Sequence, residues 1–370
     1  MNRLSFRAPG RRPGFTLIEL LVGSAIMLFA ILGALIIYAR SNKVSVEQQM
    51  ITEMQNDVRS AMYFVSRDIR MSGAGLPVEF AAYFIQSWDN EDQGGEVQPD
   101  RVRIMGNLDD PLNLLIQNYS GGTGGGSADV SLQDFGFEQY SYPDEFYDNK
   151  VVLVLTNPTA QCFGGDIRYV SHVTHNTGGT NERINFSHGQ AANINPPGGL
   201  YDTGCVAEDF VGGTVSFINV KEYWLDTTGN APGLTAGVNG YIGNGEAGIL
   251  YCTNNGINIP IARNIENFQV EFNGDMNNDS FLDGWSPWDA TWLQAPVARI
   301  SQVRIWILGR TPQAFTSVSG TVPGGVFTYR RPPISNSPGA AADDRHKRFL
   351  LDSTSNIRNM SLNIYNLGVR

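Results

Sequence analysis

Residues 11–39 read RRPGFTLIELLVGSAIMLFAILGALIIYA, and this stretch decides how the rest of the chain is interpreted. Two arginines precede a glycine, and an apolar run follows in which Glu19 is the only charged side chain. About 20 apolar residues in a helix that rises about 1.5 Å per residue span a hydrocarbon core roughly 30 Å thick. The stretch therefore predicts a helix that is long enough to cross a membrane.

The apolar run differs from the two simplest kinds of membrane segment. An ordinary secretory signal has a shorter apolar region that ends in a small-residue cleavage site, and Ile37-Tyr38-Ala39 matches such a site poorly. A plain anchor fits the length but does not explain Glu19, because an ionisable group in a membrane usually has a partner. Interaction with the positive end of the helix dipole, or extension toward the interface, remains an alternative explanation of Glu19.

Residues 14–19, Gly-Phe-Thr-Leu-Ile-Glu, follow a short basic segment without acids. This motif resembles the processing site of type IV prepilins, in which a glycine precedes a phenylalanine and a glutamate occupies the fifth mature position. The resemblance implies that a leader peptidase cuts after Gly14 and methylates the new N-terminus at Phe15. It also implies that Glu19 acts in subunit assembly, and that residues 1–14 are a leader.

The helix is predicted to continue beyond the apolar run. No proline or glycine occurs between Arg40 and Met71, and the sequence at 72–77 then supplies two glycines and a proline that end a helix. Apolar residues recur at spacings of three, four and seven, which is typical of one helical face: Val44, Ile51, Met54, Val58, Ala61, Val65 and Ile69. We therefore predict one helix over 15–72, with 15–39 in the membrane or filament core.

A second resemblance lies at the end of this helix. Residues 62–75 read MYFVSRDIRMSGAG, in which Arg-Asp-Ile-Arg leads into a turn of small residues. This run resembles the PilW-type minor pilins and the related J-type pseudopilins of type II secretion. The resemblance implies a helix whose second half packs on a globular head.

Residues 78–370 are predicted to form that head, mostly from β-strands. Turn-forming residues separate short segments, several of which alternate apolar and polar side chains, as in 303–307. The predicted strands are 101–105, 150–155, 167–173, 215–225, 249–252, 268–272, 299–308, 326–329, 349–351 and 357–365. The predicted class is α+β, with a long N-terminal helix packed on a large antiparallel β-sheet head of the type IV pilin-like kind.

The charge of the chain limits its partners. The leader contributes four arginines and no acid to a net charge of −10, so the mature side chains sum to −14. An acidic body argues against a broad nucleic-acid surface, since phosphate contacts need lysine and arginine. Basic residues before the apolar run predict a cytoplasmic N-terminus and an exported head.

Three cysteines, Cys162, Cys205 and Cys252, allow one disulfide in an oxidising compartment. Three pairings are open, and Cys162–Cys205 is preferred because both residues lie in glycine-flanked loop sequence. No CxxC spacing occurs, which disfavours a structural zinc site.

Residues 275–285, DMNNDSFLDGW, are the most chemically specific part of the head. Oxygen side chains at alternate positions resemble the calcium loop of EF-hand and dockerin modules. The candidate ligands are Asp275, Asn277, Asp279, Asp283 and the backbone carbonyl of Phe281. Serines stand where such loops have a glycine at position six and an acid at position twelve, so a solvated turn is the alternative and any calcium binding is expected to be weak.

These resemblances imply a minor pilin-type structural and assembly component of a bacterial type IV pilus. The implied partners are prepilin peptidase, other pilins and minor pilins, and the pilus assembly machinery. The implied location is a single pass in the inner membrane with a periplasmic head, followed by the pilus at the cell surface. The alternatives are a type II secretion pseudopilin and a membrane-tethered calcium-dependent adhesin or enzyme. No GxSxG or HExxH motif occurs, so we expect no enzymatic activity and no cofactor other than a candidate calcium ion.

Overall fold

The computed structural model divides the chain into two compact units, Met1–Glu53 and Met54–Arg370. Of the predicted leader, only Gly14 lies within the described residues. The structure describes residues 14–76, 84–88, 99–109, 113–121, 127–132, 150–162, 164–175, 182–187, 195, 205–227, 248–254, 256–277, 279, 281–288, 292, 299–315, 328–337, 339 and 343–357.

Helix α1 spans Leu17–Arg70 and has 54 residues, a length of about 80 Å at the usual helical rise. It begins two residues later than predicted because Thr16 is the capping residue, and it ends two residues earlier. From Met54 onward, one face of α1 is buried in the head. The buried apolar residues of this face are Met54, Val58, Ala61, Met62, Val65 and Ile69.

The turn after α1 depends on Gly73. Its φ of 73° is in the left-handed region, which glycine adopts without the steric penalty of a side chain. A Cβ at this position would lie 2.4 Å from Cδ2 of the buried Phe84. The Gly73 amide donates to the Met105 carbonyl at 2.8 Å, which attaches the helix end to strand β2, Arg101–Gly106. The glycines that were predicted to end the helix therefore lie in the turn that follows it.

The strands of the described residues form one 14-stranded antiparallel sheet system. Its longest path runs β14-β13-β11-β10-β9-β3-β4-β8-β7, and the other strands join this path at its sides. A short helix, α2, Ala207–Phe210, precedes β9. The remaining bounds are β1 Ile85–Trp88, β3 Asn113–Gly121, β4 Ser127–Leu132, β5 Val151–Leu155, β6 Gly165–Tyr169, β7 His172–His175, β8 Glu182–Ser187, β9 Thr214–Asp226, β10 Gly248–Asn254, β11 Ile257–Asp275, β12 Trp285–Ser286, β13 Arg299–Arg310 and β14 Arg348–Asn356.

Strand β9 connects two hydrophobic cores. Its first five residues pair with β5, and Asn219–Asp226 pairs with β2 and β10. One core contains the buried face of α1 with residues of β1, β2, β10, β11 and β13, and the other contains residues of β3, β4, β5, β7 and β8 with α2. Strand β5 contributes to both cores, because Leu153 packs in the first and Val152 and Val154 pack in the second.

The predicted class of a long helix on a large antiparallel sheet is confirmed, and several strand bounds are corrected. The predicted strand 167–173 is two strands, because Val170 and Ser171 leave the ladder between β6 and β7. Strand β11 starts at Ile257, well before the predicted residue 268, and strands β1, β3, β4, β8 and β12 were not predicted. Of the predicted strand 357–365, only Ile357 lies within the described residues, and it is outside any strand.

Candidate functional sites

The predicted processing and assembly residues lie at the start of α1. A Cβ at Gly14 would have no heavy atom within 4 Å, and the Phe15 side chain is 86% exposed. The carboxylate oxygen Oε2 of Glu19 accepts hydrogen bonds from the backbone N–H and the hydroxyl of Thr16, both at 2.9 Å. The Glu19 N–H donates back to the Thr16 hydroxyl at 3.3 Å, which completes a capping box. Glu19 thus caps its own helix.

Within the described part of the chain, no other element packs against the apolar run that follows. Its most apolar 18-residue window has a mean hydropathy of 2.8 and is not buried at all. By length and composition, α1 can cross a membrane. Exposure of these apolar side chains to water would be unfavourable, so the first half of α1 needs lipid or protein around it.

A buried polar cluster, which the sequence analysis did not predict, joins the second half of α1 to the sheet. Asp68 is 2% exposed, and its Oδ2 accepts a hydrogen bond from the Tyr223 hydroxyl at 2.8 Å. The Lys221 ammonium lies 3.2 Å from the same oxygen and 2.8 Å from Oδ1 of Asp109. Arg67 binds the other oxygen of Asp68 at 2.7 Å. We call Asp68, Lys221, Tyr223 and Asp109 the helix anchor.

Burial and charge together set the protonation of the helix anchor. Burial lowers the pKa of Lys221, but the hydrogen bond that Lys221 donates to Asp109 and the charges of Asp68 and Asp109 outweigh this effect and raise its pKa overall. Burial also raises the pKa of Tyr223, and the charge of Asp68 adds to this. The neighbouring free thiol of Cys252 is buried, which raises its pKa to about 11. At neutral pH Lys221 is therefore charged, and Tyr223 and Cys252 are neutral.

Cys162 and Cys205 form a disulfide, the pairing that the sequence analysis preferred, and their Cα atoms are 5.5 Å apart. The disulfide packs in the second core, where Cys205 is buried beside α2. Within the described residues, these two sulfurs and Asp209 form the one cluster with metal-ligand spacing. Because both sulfurs are bonded to each other, they do not offer thiolates to a metal ion.

The Asp/Asn loop follows the end of β11 and is held by hydrogen bonds to its own backbone. The Asp279 N–H donates to Asp275 Oδ1 at 3.1 Å and to Asn277 Oδ1 at 2.9 Å. Asp283 instead accepts from the Met276 N–H at 2.6 Å, and Asp279 accepts from the Phe281 N–H at 2.8 Å. The carboxylates of Asp275, Asp279 and Asp283, all of which are described, do not gather within 4.8 Å of one another. The calcium site stays a prediction.

Comparison with known proteins identifies the N-terminal motif. Residues 10–35 match the family model described as the prokaryotic N-terminal methylation motif. No curated protein matches the chain. Among solved structures, the type IV-like pilin TTHA1219 from Thermus thermophilus is 14% identical, with 57% of this chain and 84% of that chain covered and a TM-score of 0.20. A likeness this low carries no argument about fold or function.

The matched motif lies at the start of a long helix whose second part packs on a large antiparallel sheet. The motif and this architecture together support a type IV pilin-like protein. The motif implies a leader peptidase and other pilin-like subunits as partners in general, and the apolar half of α1 suggests membrane anchoring.

Proposed function

We propose that this protein is a minor pilin-type structural and assembly component of a bacterial type IV pilus. The observation that carries the proposal is the methylation motif placed at the first turn of an exposed, apolar helix that contains a single carboxylate. In this proposal a leader peptidase cuts after Gly14, and Phe15 becomes the methylated N-terminus. The protein acts by assembly rather than by catalysis.

The geometry of Glu19 supports a role in contact between subunits. The three hydrogen bonds of the cap involve Oε2 of Glu19 or the Thr16 hydroxyl, and within the described residues Oε1 accepts none. One oxygen therefore holds the helix start, and the other can accept from the N-terminal amine of an adjacent subunit. Such a pair offsets the unfavourable burial of the carboxylate when lipid is replaced by neighbouring helices.

The proposed location follows from the same segment. The basic leader remains cytoplasmic, α1 crosses the inner membrane once, and the head is periplasmic until the subunit enters the pilus. The proposed partners are prepilin peptidase, other pilins and minor pilins, and the assembly machinery, and no nucleic acid is expected. The second candidate is a type II secretion pseudopilin, because it has the same motif and would use Glu19 in the same way.

The mass and the N-terminal sequence of the protein isolated from membranes test the processing step. We expect an N-methylated Phe15 at the mature terminus. The variant Gly14→Val should keep the leader, since a bulky residue would replace the glycine at the cleavage point. Gly23→Val in the same helix is the matched control and should be processed normally. A wild-type protein that retains Met1 would contradict the proposal.

Substitution of Glu19 tests assembly separately from membrane insertion. Glu19→Gln keeps an oxygen that can accept from the Thr16 N–H, so the cap persists while the charge is lost. We expect this variant to reach the membrane and to be absent from sheared filaments, whereas Glu47→Gln on the same helix should enter them. Normal incorporation of the Glu19→Gln protein would show that charge pairing is not required. The second candidate would be favoured if the wild-type protein were incorporated into a secretion pseudopilus and its loss had no effect on pili.

A further inference from the structure

A groove lies between the last turns of α1 and strand β14 in the Met54–Arg370 unit. Its volume is about 440 Å³, and it is lined by α1 residues between Arg59 and Met71 and by Leu351 and Ser353 of β14. This volume is in the range of about 300–1,000 Å³ that is typical of ligand pockets. We call it the β14 groove.

Strand β14 is the edge of the sheet on this side of the groove. Within the described residues it pairs with β13 alone, over nine consecutive residue pairs and without a bulge. Among the described residues, the side of β14 away from β13 therefore presents an unpaired row of backbone N–H and C=O groups, and such a row is a template for an additional strand. Proline is absent from β14, so the whole edge can pair.

Two arginines of the groove have no acidic partner within the described part of the chain. Arg59 stacks its guanidinium over the ring of Phe349 at 5.7 Å, and Arg70 takes part in no ion pair. Arg67, between them, is bound to Asp68. Because the mature chain is acidic overall, two unpaired guanidiniums beside one groove are a local feature with a charge opposite to that of the rest of the molecule.

A buried hydroxyl of the groove also has no partner among the described residues. The side chain of Ser66 lines the groove and is 6% exposed, and its Oγ makes no hydrogen bond there. A buried polar atom without a partner is unfavourable unless a ligand or a water satisfies it. Here the hydroxyl lies on the same stripe of α1 as Arg59 and Arg70, so a ligand in the groove can reach all three.

We propose that the β14 groove binds an extended acidic segment of a partner polypeptide, which pairs with β14 as an added strand and places its carboxylates on Arg59 and Arg70. Main-chain hydrogen bonds to the sheet edge provide affinity in this mode of recognition, and alternate side chains provide specificity. The guanidiniums bind carboxylates through two parallel hydrogen bonds, which fixes the register of the segment. This proposal does not depend on processing at Gly14.

The spacing of the arginines favours a strand over a small anion. Arg59 and Arg70 are eleven residues apart on α1, so their Cα atoms are separated by about 16 Å along the helix axis. A strand rises about 3.3 Å per residue, so five or six residues cover the distance between these Cα atoms. This separation suits a strand better than a single phosphate or dicarboxylate, and β14, with nine residues, can pair with a segment of the required length.

Binding of designed peptides to the full-length protein in detergent tests the proposal. The probe is a fluorescent octapeptide that alternates glutamate and valine, and binding is followed by anisotropy. The control peptides replace glutamate by lysine, or carry N-methyl groups on all internal amides so that neither edge of the peptide can donate. We expect the glutamate peptide to bind and both controls to fail. Equal binding of the N-methylated peptide would refute strand addition. Binding of inorganic triphosphate in calorimetry, with no binding of the glutamate peptide, would reduce the groove to a small-anion site.

Variants of the groove separate recognition from folding. Arg59→Glu and Arg70→Glu should each raise the Kd of the glutamate peptide by about tenfold or more. Arg183→Glu is the matched control, because Arg183 is an exposed arginine on β8, near the opposite end of the sheet path, and it should change the Kd less than about twofold. Ser66→Ala should weaken binding without lowering Tm, since it removes an unpaired hydroxyl. Unchanged binding in the Arg59→Glu/Arg70→Glu double variant would overturn the proposal.

Discussion

The two halves of α1 belong to one continuous helix, but their side chains suit two different environments. From Leu17 to Ala39 its side chains are apolar on every face and are largely exposed in the structure. From Met54 to Arg70 most apolar residues form a single buried stripe, whereas Tyr63 and Phe64 are exposed, and the opposite face carries charges. A helix that is apolar all round belongs in lipid or among other helices, and a helix with one apolar stripe belongs on a protein core.

The two halves of α1 also differ in the contacts that their carboxylates make. Glu19 is exposed and interacts with its own first turn, so its position is not set by any other element among the described residues. Asp68 is buried and is held by Tyr223 and Lys221 of β9, so it ties the helix to one register on the sheet. We infer that the first carboxylate is left available for another subunit and that the second is used within the head.

Removal of Asp68 should have the largest effect on stability. Asp68→Ala leaves Lys221 buried with Asp109 alone and leaves the Tyr223 hydroxyl without its acceptor. Loss of one partner of a buried ion pair is strongly destabilising, and we expect a decrease of about 3 kcal/mol in the free energy of unfolding. Urea denaturation followed by tryptophan fluorescence measures it.

The matched control is Asp352→Ala, which alters an exposed carboxylate on β14 and should change the free energy of unfolding by less than about 0.5 kcal/mol. If Asp68→Ala were as stable as this control, the helix anchor would not hold the second half of α1, and the contrast between the two carboxylates would be lost.

The head should lose stability as the pH rises from about 9 to 11, while membrane association through the first half of α1 should not change. Burial raises the pKa of Cys252 from its ordinary value of 9.0 to about 11, and the pKa values of Lys221 and Tyr223 are raised as well. The folded state therefore holds protons that the unfolded state has released, so stability is present below the unfolded pKa and falls above it. The thiol alone accounts for about 2 to 3 kcal/mol.

Cys252→Ser removes the titrating thiol and keeps its size, so its unfolding free energy should fall less steeply over the same pH interval. Urea denaturation at several pH values gives both slopes. Parallel curves for the wild-type and variant proteins would show that the buried thiol does not contribute to the alkaline loss.

A pair of glycine substitutions compares the surroundings of the two halves directly. At Gly309 of β13, a Cβ would lie 2.5 Å from Cγ2 of Val58 and 3.0 Å from Cγ of Met54, whereas at Gly23 nothing described lies within 4 Å. Gly309→Ala should therefore lower the unfolding free energy of the head by about 1 to 3 kcal/mol through overpacking. Gly23→Ala should leave it unchanged, as thermal denaturation of both variants will show. A tolerated Gly309→Ala would mean that α1 does not approach β13 this closely.

The sequence predicts the two halves of α1 well, because each has a helical pattern that can be counted without knowledge of the fold. It does not predict the helix anchor. Asp68 lies three residues after Val65, on the buried stripe, and Lys221 alternates with Tyr223 and Leu225 on the inner face of β9. The sequence thus places Asp68 and Lys221 on faces that are otherwise apolar. A charged residue in such a position is usually solvated, however, and the ion pair between Asp68 and Lys221 depends on how a distant strand packs on the helix.

The strand errors have a similar cause. Strands β3, β4 and β8 contain asparagine, serine and charged residues, so their intrinsic preference for a strand is weak and their pairing with neighbours decides the outcome. In β11, Pro260 and the positive φ of Asn264 interrupt the first half, which therefore does not look like a continuous strand in the sequence. Pairing with β10 on one side supplies the missing stability.

The smallest expected effect is that of calcium on the head. We expect the Asp/Asn loop to bind weakly, and at about 10 mM calcium a Kd near 1 mM would raise the unfolding free energy by about 1.4 kcal/mol. Because the loop carboxylates now accept backbone N–H groups, calcium must turn Asp283 away from the Met276 amide, so the gain cannot be large. Urea denaturation with and without calcium measures it, with magnesium and Asp279→Asn as controls. If the free energy of unfolding were the same in calcium and in magnesium, the loop would be a turn without a calcium site. The head would then be stabilised by its cores, its disulfide and the helix anchor alone.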